Sequence, residues 1–180
     1  MTKKPWPKLS YDKGKDTYHT IHLWSQIAGK VKLEKMPWIN HSWHTALIVT
    51  PTGLTTGHLY SNDLHFQINL NFLKHQLEII TGHNREKVFS FHSLSVAECF
   101  KNILNTLKEF GIEININPTP SEMPDTTPLD KDEHNTYIPE EATALHHALL
   151  MSNRVLTQFR AGFHGKSSPV HFFWGRFDLA

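Results

Sequence analysis

Phe66, Ile68, Leu70 and Phe72 alternate without a break with Gln67, Asn69 and Asn71. Only the two-residue period of a strand separates every apolar side chain in such a run from every polar one, so the segment commits the chain to a sheet with one buried and one wet face. Leu77 and Ile79 repeat the pattern ahead of a Gly82-His83-Asn84 turn, and Val88–His92 reads as a further strand. Three strands on short connections predict an antiparallel meander. Upstream, Thr45, Leu47 and Val49 alternate with His44, Ala46 and Ile48, which predicts a strand over Trp43–Thr50. Pro51-Thr52-Gly53 follows as a turn, and Leu54–Gly57 as a short strand.

Helical spacing frames these strands. Residues 1–13, with Pro5, Trp6 and Pro7, read as an irregular lead-in. Ile21, Trp24, Ile27, Ala28 and Val31 then mark a helix from about Asp16 to Lys35, ended by Pro37. Ser95-Val96-Ala97-Glu98 is a capping box, and the helix it opens carries Val96, Phe100, Ile103, Leu104, Leu107 and Phe110 on one face, with Gly111 as its stop. Cys99 beside that face reads as a buried, inert thiol. Ile112, Ile114 and Ile116 predict one more strand, and residues 117–138 a long loop rich in Pro, Asp and Thr. Its Asp125, Asp130, Asp132 and Glu133 do not follow the calcium-loop spacing. Pro139 opens a third helix at its first turn, with Leu145, Leu149, Ser152, Leu156, Phe159 and Phe163 on one stripe. The tail reads as a strand pair, His171–Trp174 and Phe177–Leu179. The expected class is α+β, with all of residues 1–180 in one domain. An antiparallel meander sheet of about five to seven strands carries three main helices packed mostly on one face.

Composition narrows the function. Lys and Arg are scattered and the formal net charge is +1, so the basic stripe of a nucleic-acid binder is missing. The apolar runs are too short for a membrane span, and the basic start lacks the apolar region of a signal peptide. A single cysteine excludes an internal disulfide framework and points to the cytoplasm. The 14 histidines are the unusual feature, since histidine titrates near neutrality and is the commonest metal ligand. Neither a cofactor nor an oligomeric state is legible in the residues.

Three strings carry a family resemblance: His22-Leu23-Trp24-Ser25-Gln26-Ile27-Ala28-Gly29-Lys30, then Pro37-Trp38-Ile39-Asn40-His41-Ser42-Trp43-His44, and then Gly165 to Ala180, which contains Ser168-Pro169-Val170-His171-Phe172-Phe173-Trp174-Gly175. In order and spacing they resemble the bacterial family called domain of unknown function 5996, over nearly the whole chain. The resemblance implies no activity. Relatives continue beyond the Phe177-Asp178-Leu179-Ala180 stretch, so a short form is expected. They also place Asp before the proline of the third helix, where this chain has Ile138, which cannot cap.

The chemistry-bearing residues lie in the same strings. Asn40, His41, Trp43 and His44 sit where loop becomes strand, a usual place for functional side chains. His171 comes from the other end of the chain, with Lys166, Ser168 and Trp174 around it. His41, His44 and His171 are the candidates for general acid/base chemistry, and equally for a metal site if they converge, since zinc takes three or four ligands. Ser168 precedes a proline and has no nucleophile-elbow motif, so it reads as a binding residue and not as a nucleophile. His22, Gln26 and Lys30, four residues apart, line the side of the first helix opposite Trp24, Ala28 and Val31. A solvated face is the expectation for that stripe. It becomes a ligand site only if the long loop or the C-terminal strand roofs it. The leading expectation is a small-molecule-binding domain with a His/Trp-lined pocket, extending to an enzyme that uses histidine acid/base chemistry. The rivals are an interaction module in which the His/Trp strings only determine the fold, and a His-ligated metal-dependent hydrolase.

Overall fold

The computed structural model describes residues 6–180. Residues 1–5 of the expected lead-in lie outside that range. Helix α1 (Tyr11–Lys35) begins about five residues before the predicted start, with Ser10 at the cap position and the Gly14 N–H bonded to its carbonyl at 2.9 Å. The expected lead-in to residue 13 is therefore too long. The Tyr18 ring lies over Gly14, where a Cβ would collide with it, so the missing side chain is what leaves room for the ring. A 3-10 turn (Asn40–Ser42) follows, and then six short strands: β1 (Ile48–Thr50), β2 (Gly53–Thr55), β3 (Leu59–Ser61), β4 (Leu64–Asn71), β5 (Gln76–Thr81) and β6 (Glu86–Ser90). Helix α2 (Val96–Glu109), helix α3 (Pro139–Ala161) and a hairpin of β7 (Phe172–Phe173) and β8 (Asp178–Leu179) complete the chain.

The six strands form one antiparallel sheet in the order β1-β2-β4-β5-β6, and β3 pairs with the far end of β4, in line with β2. Register follows the alternation in β4. Ile68 stands opposite Ile79 and Leu70 opposite Leu77, so both put their apolar set on the core face. The other face of β4 and β5 carries a polar lattice, in which Glu78 accepts from Asn69, Asn71 and Gln76 at 3.3, 2.9 and 2.8 Å. All three helices lie on the core side, and α1 is the central one, packed against α2, α3 and β3. Its Trp24 stacks on Phe91 at 4.6 Å, and Phe91 packs on Phe72 and Tyr137.

Helix α2 forms as its sequence predicts. The Ser95 hydroxyl accepts from the Glu98 N–H, and the Glu98 carboxylate accepts from the Ser95 N–H. Gly111 closes the helix in the left-handed region at φ 83. Cys99 is fully buried, and burial alone pushes its thiol far above the ordinary value, as expected of an inert group. Pro139 opens α3 and Ile138 makes no cap bond; its N–H donates instead to the Thr17 hydroxyl of α1 at 3.0 Å.

One predicted strand is shortened to its last three residues, and another is not a strand. Residues 43–47 turn out of the 3-10 segment, so regular pairing begins only at Ile48. The alternation there reflects burial of His44 to Leu47 beneath neighbouring chain and not a ladder. Ile112 and Ile116 are buried at the expected period, yet among the described residues they have no strand partner, because the sheet ends at β6. The segment's backbone is tied instead by the Ile112 N–H to the Leu107 carbonyl and by the Lys35 ammonium to the Glu113 carbonyl. The 117–138 loop is docked. Its Asp132 and His134 carbonyls accept the Ala97 and Val96 N–H groups at the start of α2, two of the donors every helix leaves free at that end. Among the described residues no helix is long and apolar enough to cross a membrane.

Candidate functional site

The two His/Trp strings meet. Leu47 and Phe172 exchange backbone hydrogen bonds of 2.9 Å each way. That single bridge ties the turn after α1 to the C-terminal hairpin across 125 residues of sequence. Beside it opens a concavity of about 770 Å³, walled by Asn40, His41 and Trp43 on one side and by Lys166, His171 and Phe173 on the other. Five of the sequence candidates therefore line one space: Asn40, His41, Trp43, Lys166 and His171. Phe173 joins them as an apolar wall, its ring edge-on to His171 at 4.6 Å.

His171 is the best-placed polar group. The residue is 8% exposed, and Nδ1 lies 2.7 Å from the Pro169 carbonyl. A carbonyl only accepts, so Nδ1 carries the proton and Nε2 the lone pair. That Nε2 is buried and has no partner. The imidazole is an acceptor lacking a donor, a condition that costs about 1–3 kcal/mol and invites a ligand or water to relieve it. Opposite it the backbone is strained. His41 and Ser42 are consecutive non-glycine residues in the left-handed region, at φ 60 and 57, each costing roughly 1–2 kcal/mol. Strain of this kind collects at functional sites. It holds His41 exposed, with its ring 5.4 Å from that of Trp43.

The remaining candidates lie elsewhere. His44 is buried, and its Nδ1 accepts from the Ile39 N–H at 3.1 Å, so it braces the turn from behind and is not in the wall of the concavity. Among the described residues no three His, Cys, Asp or Glu side chains are grouped so as to hold a metal ion; His41, His44 and His171 do not converge as a ligand set. Ser168 borders an adjoining cleft beside Phe159 and Phe163, which shares Ser167 and Ala180 with the concavity; there its carbonyl accepts from Arg160. Trp174 is 8% exposed and seated on the backbone of α1 at Gly29, whose absent side chain leaves room for the indole, and its Nε1 donates to the Thr45 carbonyl at 2.9 Å.

His22, Gln26 and Lys30 overturn the expectation of a solvated face. Gln26 is fully buried and Lys30 is 7% exposed, because both the long loop and the C-terminal hairpin cover that side. Gln26 grips the loop at both ends of its amide, donating to the Ser121 carbonyl at 2.9 Å and accepting the Ser121 N–H at 2.7 Å. His22 Nε2 donates to the Gly175 carbonyl at 3.1 Å. Burial lowers the His22 pKa, and the Gly175 and Trp174 carbonyls work against that shift. Phe173 stands in the C-terminal string, where its sequence reading is core or pocket wall, and it is found in the wall. Sequence reasoning gave Ser121 and Thr45 no role in a site, and each matters only because distant chain folds over it.

A family model described as a family of unknown function (DUF5996) matches residues 6–180. No curated protein and no solved structure matches the chain.

Proposed function

Since the chain belongs to this family of unknown function, whose description assigns no chemistry, we propose from the geometry that it binds a small organic molecule in the concavity between the Asn40–Trp43 turn and the C-terminal segment. The buried, partnerless Nε2 of His171 carries this reading. It asks for a ligand hydroxyl, amine or acid proton. Lys166 favours an anionic group on the same molecule, and Trp43 and Phe173 supply flat apolar walls, the usual composition of a small-molecule site. If the ligand is a substrate, exposed His41 exchanges a proton with it directly, and His171 Nε2 serves as the base once its ring turns out of the wall. His44 and Ser168 have no part in this scheme. The scattered basic residues favour a soluble small-molecule partner over nucleic acid or membrane, and the lone buried thiol suits a bacterial cytoplasm.

The test is a ligand-observed NMR screen of small aromatic hydroxy acids against the wild-type chain, followed by titration of any hit into Lys166→Ala and His41→Ala. Both side chains are exposed, so neither substitution should disturb folding. Loss of a charged contact should weaken binding about tenfold or more in Lys166→Ala. Hits that bind both variants as tightly as wild type would sink the assignment.

A further inference from the structure

A second concavity, of about 530 Å³, lies against the hairpin and shares only Phe173 with the first. Its wall includes Ser42, Thr45, Ser121, Trp174 and the Glu122, Arg176 and Asp178 side chains. Lys30 stands behind it. The Lys30 ammonium donates to the Ser121 hydroxyl at 3.1 Å and sits 5.7 Å over the Trp174 ring. It is 93% buried, and among the described residues no carboxylate lies within ion-pair distance of it. A buried ammonium normally has a counter-charge, because taking a charge out of water is expensive unless it is paired. The Ser121 hydroxyl accepts from Lys30, which leaves its own O–H free to donate outward. A chain of donors, ammonium then hydroxyl, therefore points from the interior towards the concavity.

We infer that this second concavity is a binding site for the carboxylate of a small apolar acid, held by the Ser121 hydroxyl with Lys30 as the buried counter-charge and with Phe173 and Trp174 against its apolar body. The charges in the wall select that class. Glu122 and Arg176 form an ion pair and neutralise one another. The Asp178 carboxylate remains and repels a second negative charge, so a monocarboxylate fits better than a phosphate dianion. Burial lowers the Lys30 pKa, and a bound carboxylate favours the ammonium form. The site is independent of the one formed by His171, and it stands if that reading fails.

Benzoate is the probe, titrated into the full, isotopically labelled chain at constant ionic strength, with the Ser121 amide and the Trp174 indole N–H followed by NMR. Saturable shifts at both are expected. Affinity should fall at least about tenfold in Lys30→Met and in Ser121→Ala, and stay unchanged in Lys166→Ala. Ser121→Ala is the decisive variant, because it keeps the backbone bonds to Gln26 and so the local fold. The inference is overturned by an absence of saturable shifts, by wild-type affinity in Ser121→Ala, or by loss of binding in Lys166→Ala instead. Tighter binding of inorganic phosphate than of benzoate would overturn the choice of ligand class.

Discussion

Helices α1 and α3 are nearly equal in length, 25 and 23 residues, yet α1 buries fourteen of its residues and α3 only Ala142 and His146. Apolar content does not explain the difference. The buried set of α1 includes Thr17, Thr20, Ser25, Gln26, Lys30 and Lys32, whereas α3 leaves Val155 and Phe159 exposed. Position explains it. α1 runs through the centre, with α2, α3 and β3 around it, and the long loop and the hairpin close over its remaining side. Its polar side chains are tolerated because each reaches a partner: Lys32 donates to the Ala46 carbonyl at 2.6 Å and Ser25 to the His22 carbonyl at 2.7 Å. α3 packs on α1, β1 and β8, and near its end Arg160 bonds Ser167 and Ser168, yet Phe159 beside it is 84% exposed.

The contrast can be broken by substitution. Trp24→Ala in α1 should cost the most, about 3–5 kcal/mol, since it empties the stack against Phe91; urea unfolding measures it, and a loss under about 1 kcal/mol would mean α1 is not the centre of the core. A smaller effect is expected from acidification. Burial holds the pKa of His146, whose Nε2 donates to the Thr50 carbonyl at 2.9 Å, below its ordinary value. The unfolded chain therefore takes up the proton first. The stability contributed by the neutral ring is complete above about pH 6.5 and is lost as pH falls from there through the depressed folded value. His146→Gln keeps a donor for Thr50 and removes the titration. Its denaturation midpoint should fall less than that of wild type between about pH 7.5 and 5.5, with the remaining fall assigned to His22 and His75, which are shifted the same way. Equal falls in both proteins would remove His146 from the account. Phe159→Ala should change least, within about 0.5 kcal/mol. A large loss there would show that the exposed end of α3 is covered in solution.

Legibility followed the range of the interactions involved. The Ser95–Glu98 box, the Gly111 stop and the β4–β5–β6 meander were readable because their causes lie within a few residues or between adjacent hairpin strands. The Asn40–Trp43 and Lys166–His171 strings were readable as chemistry, but the spacing could not say that His44 turns away to the Ile39 backbone while His41 stays at the surface. The Ile112–Ile116 alternation misled because burial at a two-residue period does not require a strand partner.

What the sequence determined by itself was the α+β class, the ends of α2, the faces of β4 and β5 and the residue types that make a site conceivable. These follow from periodicity and local hydrogen bonding. The tertiary structure decided the rest. The Leu47–Phe172 bridge joined the two His/Trp strings into one concavity, and Ser121 and Gly175 roofed the His22-Gln26-Lys30 stripe. In both cases a side chain's role was set by a carbonyl, amide or hydroxyl some ninety or more residues away, which no local pattern can encode.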